Sequence, residues 1–317
     1  MAEGNEIHRW AERHAAAFAG KVVRVDGPQG KFMDAEMLHG RTLRRVMAIG
    51  KHLGYDFGKD RILHVHLGLQ GDFTEGSGPL PPVKGALRLR MWNAAAVKKP
   101  AELGASKRHL KYSNDDGTGH LPAERIAWVE LRGPMDCSIY SQEQWETLRR
   151  RLGPDPLGDN VDGRDAPQRA FAKVRKSSKP IGALLMEQDV FAGIGNIYRA
   201  ELLFRARQSP FTPGTDVAPE VLQKIWKEAG PLMRAGMLDR RIVTTLAKDR
   251  MRRKGPPLKE DVHYVYKRNG LPCRVCGAKV LKMEFAGRNL FWCPVCQAGL
   301  SIAPRWTRDV QRDTLNM

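Results

Sequence analysis

Four of the five cysteines fall into two pairs near the end of the 317-residue chain. Cys273 and Cys276 form one C-x-x-C pair, Cys293 and Cys296 form the other, and sixteen residues lie between the pairs. In a reducing cytoplasm such pairs favour metal binding over disulfides, and this spacing is typical of a four-thiolate ribbon. We therefore predict a zinc ribbon that holds one structural Zn²⁺, with two accidental pairs as the alternative. Cys137 stands alone and is interpreted as a buried apolar residue.

The charge balance indicates what kind of partner the chain has. Lys and Arg number 53 against 35 Asp and Glu, which gives a net charge of +18. A surplus of this size predicts attraction to a polyanion whatever the fold. The run Lys248–Lys254 (KDRMRRK) directly precedes the cysteines and favours phosphate contact, although a scattered excess of charge can also be a solvated surface. Nucleic acid is the expected partner.

The sequence contains no stretch close to the eighteen or so apolar residues of a membrane span. Its first residues are polar and lack the apolar core of a signal peptide. We therefore expect a cytoplasmic, nucleoid-associated chain with no membrane partner.

Hydrophobic periodicity divides the chain into a β-rich first part and a helical second part. Apolar residues recur at helical spacing near the N-terminus and predict a helix over residues 3–19. Short β-rich runs broken by Gly, Pro and Asp then predict an antiparallel sandwich or barrel against which this helix packs. The predicted strands are residues 21–25, 43–49, 62–67, 86–92 and 126–131. The predicted later helices are residues 142–152, 168–176, 181–188, 196–206 and 219–235.

This pattern predicts an α+β multidomain chain. We expect a β domain over residues 1–135, a helical domain over 136–245, a linker with the four-cysteine finger over 246–304, and a C-terminal tail over 305–317. Leu152–Leu157 (LGPDPL) is a rigid breaker that suits a domain junction.

Three shorter motifs carry candidate chemistry, and each has a plain structural alternative. Ala192–Tyr198 (AGIGNIY) predicts a tight turn onto a helix N-terminus, where backbone N–H groups and the Asn196 side chain can seat a phosphate. A plain helical turn is the alternative. Glu3 and Glu6 lie in the first turn of the predicted N-terminal helix, where the helix dipole alone accounts for acidic residues. Lys51 would otherwise be an ordinary lysine at the end of a strand.

Taken in order, these motifs resemble the formamidopyrimidine-DNA glycosylase and endonuclease VIII family of DNA glycosylase/AP lyases. The resemblance covers roughly residues 2–300. It rests on Met-x-Glu-Gly at the start, GKHL at 50–53, HLGLQG at 66–71, LGPDPL at 152–157, AGIGNIY followed by RAELLF at 192–204, and the four paired cysteines.

The resemblance implies a β-sandwich flanked by helices, then a helix-two-turn-helix domain, then a zinc finger. It implies base-excision repair in which Met1 is removed and the amine of Ala2 attacks C1′ of the damaged nucleotide to form a Schiff base. By similarity, Glu3 would protonate the sugar ring oxygen and Lys51 would contact the phosphate beside the lesion. The implied partner is damaged double-stranded or bubble DNA, bound by a monomer.

The resemblance also implies how damaged DNA is held. The target nucleotide must leave the base stack before an amine can reach its sugar, and the vacated space has to be filled. Leu69 corresponds to the family's wedge residue. Asn196 and Arg288 match positions that hold the flanking phosphates and so keep the duplex bent.

Two departures qualify these expectations. The family's usual nucleophile is proline, whereas Ala2 supplies a primary amine, whose imine needs a proton to be an equally good electron sink. A slower lyase step, or a catalytically weak relative that binds lesions or abasic sites, is therefore one alternative; a zinc-ribbon adaptor unrelated to repair is another. The segment 241–273 is short and lacks a long glycine-rich lesion-capping loop, which favours the endonuclease VIII branch and oxidised pyrimidines.

Overall fold

Helix α1 (Gly4–Phe18) is the first element of the computed structural model, which describes residues 2–94, 122–160 and 163–298. Ile7, Trp10, His14 and Phe18 recur every three or four residues, and all four are buried. They form the apolar stripe by which an amphipathic helix packs on a core. The helix predicted over 3–19 is therefore confirmed. Met1 and the tail 305–317 lie outside the described residues.

Two antiparallel sheets follow α1. Their strands are β1 (Val22–Asp26), β2 (Arg41–Thr42), β3 (Arg45–Ile49), β4 (His52–Asp56), β5 (Ile62–His66), β6 (Asp72–Gly76), β7 (Leu87–Trp92), β8 (Trp128–Arg132) and β9 (Asp136–Tyr140). One sheet has the order β2-β1-β7-β8-β6 and the other has the order β3-β4-β5-β9. The five predicted strands correspond to β1, β3, β5, β7 and β8, and the other four were not predicted from the sequence.

The two sheets and α1 share one hydrophobic core. Val23 and Val25 of β1 and Leu53 and Tyr55 of β4 belong to the same buried cluster as the apolar face of α1. Burying a side chain of this kind contributes about 1.5–3 kcal/mol, so the shared cluster stabilises both sheets together. The predicted antiparallel β-sandwich is thus confirmed. Cys137 packs against this core but is only partly buried, not fully buried as expected.

Contacts divide the chain into two units, one of residues 1–2 and 6–151 and the other of residues 3–5 and 152–317. The division at 151/152 coincides with the LGPDPL breaker. The domain limit predicted from the change between β-rich and helical sequence lies earlier, at 135/136. Strand β9 accounts for the difference because it pairs with β5 along its whole length. Helix α2 (Gln142–Arg151) follows it, and its Trp145 lies against Gly54 of β4.

The second unit is helical before it reaches the cysteines. Its helices are α3 (Gln168–Arg175), α4 (Ile181–Leu184), α5 (Asn196–Arg205) and α6 (Pro219–Leu238). Tyr198 and Leu202 of α5 lie in a buried cluster with Leu222 and Met233 of α6. The helix predicted over 181–188 ends at Leu184. Beyond it, the Met186 and Glu187 amides donate to carbonyls three residues back, which is a tighter turn than an α-helix.

A two-stranded hairpin completes the described chain. Strands β10 (Leu281–Phe285) and β11 (Arg288–Trp292) are joined by Ala286 and Gly287, whose φ angles are +50° and +69°. Positive φ at both residues of a two-residue turn matches the twist of the strands. The hairpin residue Phe291 packs with Ala200 and Phe204 of α5 in one buried cluster. The α+β fold class predicted from the sequence is confirmed.

Candidate functional site

Glu3 is buried at the start of α1, with 2% of its surface exposed. Its Oε2 accepts a hydrogen bond from the Gly195 amide at 2.8 Å, and its Oε1 accepts one from the Ile197 amide at 2.8 Å. The Gly4 amide donates to the carbonyl of Gly193 at 2.8 Å. Residues 3–5 are therefore fixed on the turn that begins α5.

Glycine is required at two positions of this turn, in one case because Glu3 lies so close to the backbone. Gly193 has a φ of +85°, and a Cβ at Gly195 would lie 2.6 Å from the carboxyl carbon of Glu3. The turn was expected to offer its backbone N–H groups to a phosphate, and that role stays a prediction for the amides that do not bind Glu3. A carboxylate of the chain itself accepts from the amides of Gly195 and Ile197, as the partial positive charge of a helix N-terminus favours.

Asn196 joins α5 to the hairpin. It is buried, its Nδ2 donates to the carbonyl of Asn289 at 3.0 Å, and its Oδ1 accepts from the guanidinium of Arg199. Arg199 is fully buried and also donates to the carbonyl of Asn289, at 3.3 Å. The side chain of Asn196 thus contributes to internal packing, and its contact with DNA phosphate stays a prediction.

Tyr266 lies near the predicted site residues, although the sequence did not reveal it. Its phenol is close enough to Glu3 for that carboxylate to raise its pKa. Its position is set by Glu201 of α5, a fully buried carboxylate that accepts from the amides of Tyr264, Val265 and Tyr266, each at 2.8 Å. Hydrogen bonds to a charged group contribute about 1.5–3 kcal/mol each, so Glu201 holds this segment firmly.

The charges around Glu3 affect one another. Burial raises the pKa of Tyr198 well above its usual range, and the carboxylate of Glu3 adds to the shift. Burial and then Glu3 likewise raise the pKa of Tyr266. Burial lowers the pKa of Arg199 to about 10, while Glu3 opposes and Arg288 adds to that shift. Both tyrosines therefore stay protonated near neutral pH, and Arg199 stays a cation.

Arg288 lies at the tip of the hairpin, directly after the tight turn. Its side chain is exposed, and its Nη1 donates to the carbonyl of the neighbouring Gly287 at 3.1 Å. An exposed guanidinium on a rigid hairpin is suited to a phosphate, and its role there stays a prediction.

Lys51 occupies the two-residue turn between β3 and β4. Gly50 precedes it with a φ of +57°, and Lys51 itself is half-buried. Burial lowers the pKa of the nearby His66, and the charge of Lys51 lowers it further. The ammonium of Lys51 therefore lies near this ring.

Leu69 follows β5 and is 53% exposed. Met135 is 68% exposed, and a Cβ at Gly68 would lie 2.8 Å from its Cβ. Two large apolar side chains are thus presented to solvent close together. Exposed apolar groups on short loops are suited to fill a gap in a base stack, and the wedge role of Leu69 stays a prediction.

The basic run Lys248–Lys254 is held in a fixed course by Asp261. This buried carboxylate accepts from the amides of Met251 and Arg252, both at 3.0 Å, and pairs with Arg274 at 3.0 Å. Arg250 turns inward to Thr245, whereas the other basic side chains of the run are exposed. These exposed side chains remain candidates for phosphate contact.

The four paired cysteines converge as their spacing predicts. Their Sγ atoms all lie within 4.8 Å of one another. The distance from Cys273 to Cys296 is 3.8 Å, and that from Cys276 to Cys293 is 3.4 Å. A tetrahedral zinc with bonds of about 2.3 Å requires sulfur atoms about 3.8 Å apart, so the cluster fits the ion.

The chain is similar to known proteins over most of its length. The formamidopyrimidine-DNA glycosylase N-terminal domain matches residues 1–105, the formamidopyrimidine-DNA glycosylase H2TH domain matches 152–247, and the zinc finger found in FPG and IleRS matches 270–299. Endonuclease 8 1 of Mycobacterium tuberculosis is 38% identical over 302 residues, which cover 94% of this chain and 100% of that protein. The chain belongs to the formamidopyrimidine-DNA glycosylase and endonuclease VIII family. Within it, the formamidopyrimidine-DNA glycosylase of Thermus thermophilus is 35% identical over 303 residues, 94% of this chain and 98% of that protein.

Solved members of the family share the fold. The Lactococcus lactis enzyme in complex with abasic-site DNA superposes with a TM-score of 0.67 at 20% identity, covering 94% of this chain and 100% of that one. The Thermus thermophilus enzyme superposes with a TM-score of 0.66 at 23% identity and the same coverage.

Membership in a family of DNA glycosylase/AP lyases makes this chain a base-excision-repair enzyme with a zinc-finger site. The alternative of a zinc-ribbon adaptor unrelated to repair is wrong. Within the described residues, no helix is both long and apolar enough to cross a membrane.

Proposed function

We propose that this enzyme removes oxidised bases, with pyrimidines favoured, by attack of the Ala2 α-amine on C1′ of the damaged nucleotide. The observation that supports this most directly is the fixed carboxylate of Glu3, the residue next to that amine. Two backbone amides hold it at 2.8 Å each. An acid next to the nucleophile, with its orientation set by the fold, is what a proton transfer at the sugar requires.

The proposed chemistry forms and breaks bonds at one carbon. The amine nitrogen bonds to C1′ while the glycosidic bond breaks and its electron pair leaves with the base. The Glu3 carboxylate takes a proton from the ammonium that this attack creates. It passes that proton to the ring oxygen as the bond from C1′ to this oxygen opens to give the Schiff base, and the departing base takes its proton from water. The amides of Gly195 and Ile197 hold the two oxygens of Glu3 in place for this transfer.

The remaining site residues are proposed to position damaged DNA. Lys51 would bind the phosphate beside the lesion, Leu69 would fill the space of the displaced nucleotide, and Arg288 would hold a flanking phosphate together with Asn196. The exposure of Leu69 and Arg288 supports their roles. Asn196 would act with its hydrogen-bonded neighbour Arg199. The Lactococcus lactis relative on abasic-site DNA supports damaged DNA as the partner.

Two features support the preference for oxidised pyrimidines. The relative from Mycobacterium tuberculosis is an endonuclease 8. The short segment 241–273 favours the same branch of the family. This segment also folds back on itself, because the amides of Met251 and Arg252 bind Asp261 and Thr244 binds the backbone of Val262. Bubble DNA as a substrate and action as a monomer complete the proposal.

The four thiolates are proposed to hold one Zn²⁺ per chain. Bound zinc would fix the two knuckles and, through them, the hairpin that carries Arg288.

The proposed domain limits, residues 1–135, 136–245 and 246–304, differ from the contact division at 151/152 in where they assign α2 and β9.

Borohydride trapping tests the function directly. The protein would be incubated with duplex and bubble DNA carrying an abasic site, an oxidised pyrimidine or an oxidised guanine, reduced, and digested. We expect an adduct at the N-terminal peptide, with oxidised pyrimidine trapped faster than oxidised guanine. Binding that prefers damaged DNA without any adduct would instead favour a catalytically weak lesion-binding protein, the alternative that Ala2 motivates.

A further inference from the structure

Three histidines form a row on one face of the four-stranded sheet, beside the turn that carries Lys51. His52 is the first residue of β4 after that turn, and it pairs across the sheet with His66 of β5. The rings of His52 and His66 stack at 4.7 Å, and those of His52 and His64 stack at 5.2 Å. The proposed chemistry uses neither His52 nor His64.

A chain of hydrogen bonds runs along this row. The carboxylate of Asp136 on β9 binds Nδ1 of His64 at 2.8 Å, and Nε2 of His64 lies 2.9 Å from Nδ1 of His52. Ser138 donates to the second oxygen of Asp136 at 3.0 Å. His64 is fixed further by stacking on Tyr140 at 4.3 Å. These hydrogen bonds end at the ring of His52, the residue that follows Lys51.

The order of donors and acceptors in this chain has a single solution when both rings are neutral. A carboxylate only accepts, so His64 carries its proton on Nδ1 and its Nε2 accepts. His52 must then carry its proton on Nδ1 in order to donate to that Nε2. Asp136 therefore determines, through His64, both the orientation and the tautomer of His52.

The row is uncharged near neutral pH. Burial, and then the coulombic effects of His66, His64, Arg151 and Lys51, together lower the pKa of His52 to about 3. Burial also lowers the pKa of His64, against the opposing effect of Asp136. The row therefore adds no positive charge beside Lys51.

We propose that Asp136, His64 and His52 are positioning residues for Lys51, since their hydrogen-bonded chain fixes the first residue of β4 and with it the turn that presents the lysine. The inference rests on the proposed role of Lys51 at a DNA phosphate. Misplacing such a group by about 1 Å can lower a rate on the order of 100-fold.

The tautomers are tested first, by ¹⁵N NMR of the histidine side chains in the full-length protein. We expect Nδ1–H for both His64 and His52. His64→Phe keeps a stacked ring but removes the acceptor, so His52 should lose its preference for Nδ1–H. His64→Gln, whose carbonyl oxygen can accept the same hydrogen bond, should restore it. A His52 tautomer that does not respond to His64→Phe would overturn the inference without reference to catalysis.

The link to Lys51 is tested by a double-mutant cycle. The rate of adduct trapping on preformed abasic-site DNA would be measured under single-turnover conditions for wild type, His64→Phe, Lys51→Ala and the double variant. We expect His64→Phe to slow trapping about 10- to 100-fold, His64→Gln to recover most of the loss, and the double variant to match Lys51→Ala within about 2-fold.

The outcomes distinguish the proposed role of Lys51 from the proposed positioning role of Asp136, His64 and His52. If Lys51→Ala traps as fast as wild type, the proposed role of Lys51 fails and this inference fails with it. If Lys51→Ala is slow and His64→Phe adds its full effect on top, only the inference fails. His39→Phe is the control, because His39 binds the carbonyl of Val25 in the same unit, away from this row. If His64→Phe does not fold, the double-mutant cycle is repeated with His52→Phe, at the half-buried end of the hydrogen-bonded row.

Discussion

The carboxylate of Glu3 accepts a hydrogen bond from the amide of Gly195, with Oε2 2.8 Å from the nitrogen. A Cβ at Gly195 would lie 2.6 Å from the carboxyl carbon of Glu3, so the two residues restrict each other. The N-terminal acid and the glycine turn before α5, which the sequence presents as separate motifs, are therefore parts of one site.

We predict that Glu3→Gln lowers base excision about 10²- to 10⁴-fold, because the sugar ring loses its acid. A glutamine side chain also offers one oxygen where two backbone amides each need an acceptor, so one amide loses its hydrogen bond. Cleavage of preformed abasic sites should be affected less, since their sugars open without help. Single-turnover excision and cleavage rates measure both effects.

Two further variants check this prediction. Glu6→Gln, one turn along the same helix, removes a carboxylate that pairs with Arg9 and should leave excision within a few-fold of wild type. Gly195→Ala should push the Glu3 carboxylate away from the two amides that hold it, and so reduce excision at a temperature where the variant is still folded. Full activity in Gly195→Ala would contradict the importance of this geometry.

Removal of one zinc ligand should unfold the ribbon. Structural zinc contributes on the order of 10 kcal/mol to a small ribbon, so Cys276→Ser should lose zinc and weaken DNA binding. Metal analysis of freshly purified protein, with a DNA-binding titration, measures both. Cys137→Ala is the matched control, since Cys137 lies on β9 outside the cluster, and it should keep one zinc per chain. Native protein without zinc would refute the prediction.

Arg288→Ala should make DNA binding less sensitive to salt. Each phosphate contact on duplex DNA contributes about 0.9 to the slope of log affinity against log salt, so loss of one contact should flatten the slope by about one unit. Lys282→Gln removes one charge from the neighbouring strand of the same hairpin. A direct contact predicts a larger change for Arg288 than for Lys282, whereas equal changes would indicate a general effect of charge.

His14 should make the stability of the first unit depend on pH. The ring is fully buried, its Nδ1 lies 2.7 Å from the Tyr55 hydroxyl, and burial lowers its pKa from 6.5 to about 3, with Arg9 and Arg13 adding to the shift. Because the unfolded chain takes up this proton near pH 6.5, the stability from the neutral ring is present above that pH and is lost as pH falls towards 3.

Urea unfolding of His14→Phe measures this contribution. Between about pH 4 and 6, the free energy of unfolding of wild type should fall about 1.4 kcal/mol more per pH unit than that of the variant. Near pH 7.5 the two proteins should differ only by the packing change and by the lost hydrogen bond to Tyr55. Parallel pH dependences would contradict the prediction.

The sequence predicted those elements whose characteristic pattern lies within one short segment. Helix α1 has an apolar stripe, and the cysteine spacing specifies the ribbon. Strand β4 was missed because Gly54 weakens its strand pattern, yet that glycine leaves room for Trp145, whose ring would lie 2.7 Å from a Cβ there. Strand β9 was missed for a related reason: its polar residue Asp136 binds both Ser138 and His64, and only the assembled sheet brings His64 near.

The site was predicted in the same uneven way. Glu3 and Asn196 were identified by resemblance, but the partners of Glu3 lie 192 and 194 residues away and no local pattern points to them. Glu201 did leave a signal, since a carboxylate inside the apolar run of α5 must find hydrogen bonds when buried. Its partners include the amide of Tyr266, and this is how the missed tyrosine could have been sought.

The final prediction concerns Ala2, where the sequence departs from the proline usual in the family. A primary amine gives an imine that must gain a proton to draw electrons as well as the permanently charged iminium of a secondary amine. Ala2→Pro should therefore keep or raise activity, and its strand cleavage after adduct formation should depend less on pH between about 6 and 8 than that of wild type. Ala2→Gly, also a small primary amine, should behave like wild type. Trapping and cleavage rates of the three proteins, after mass spectrometry has verified removal of Met1, provide the comparison. If Ala2→Pro forms the adduct and wild type does not, the natural protein is a lesion-binding relative and not an active glycosylase. If none of them forms it, the α-amine is not the nucleophile.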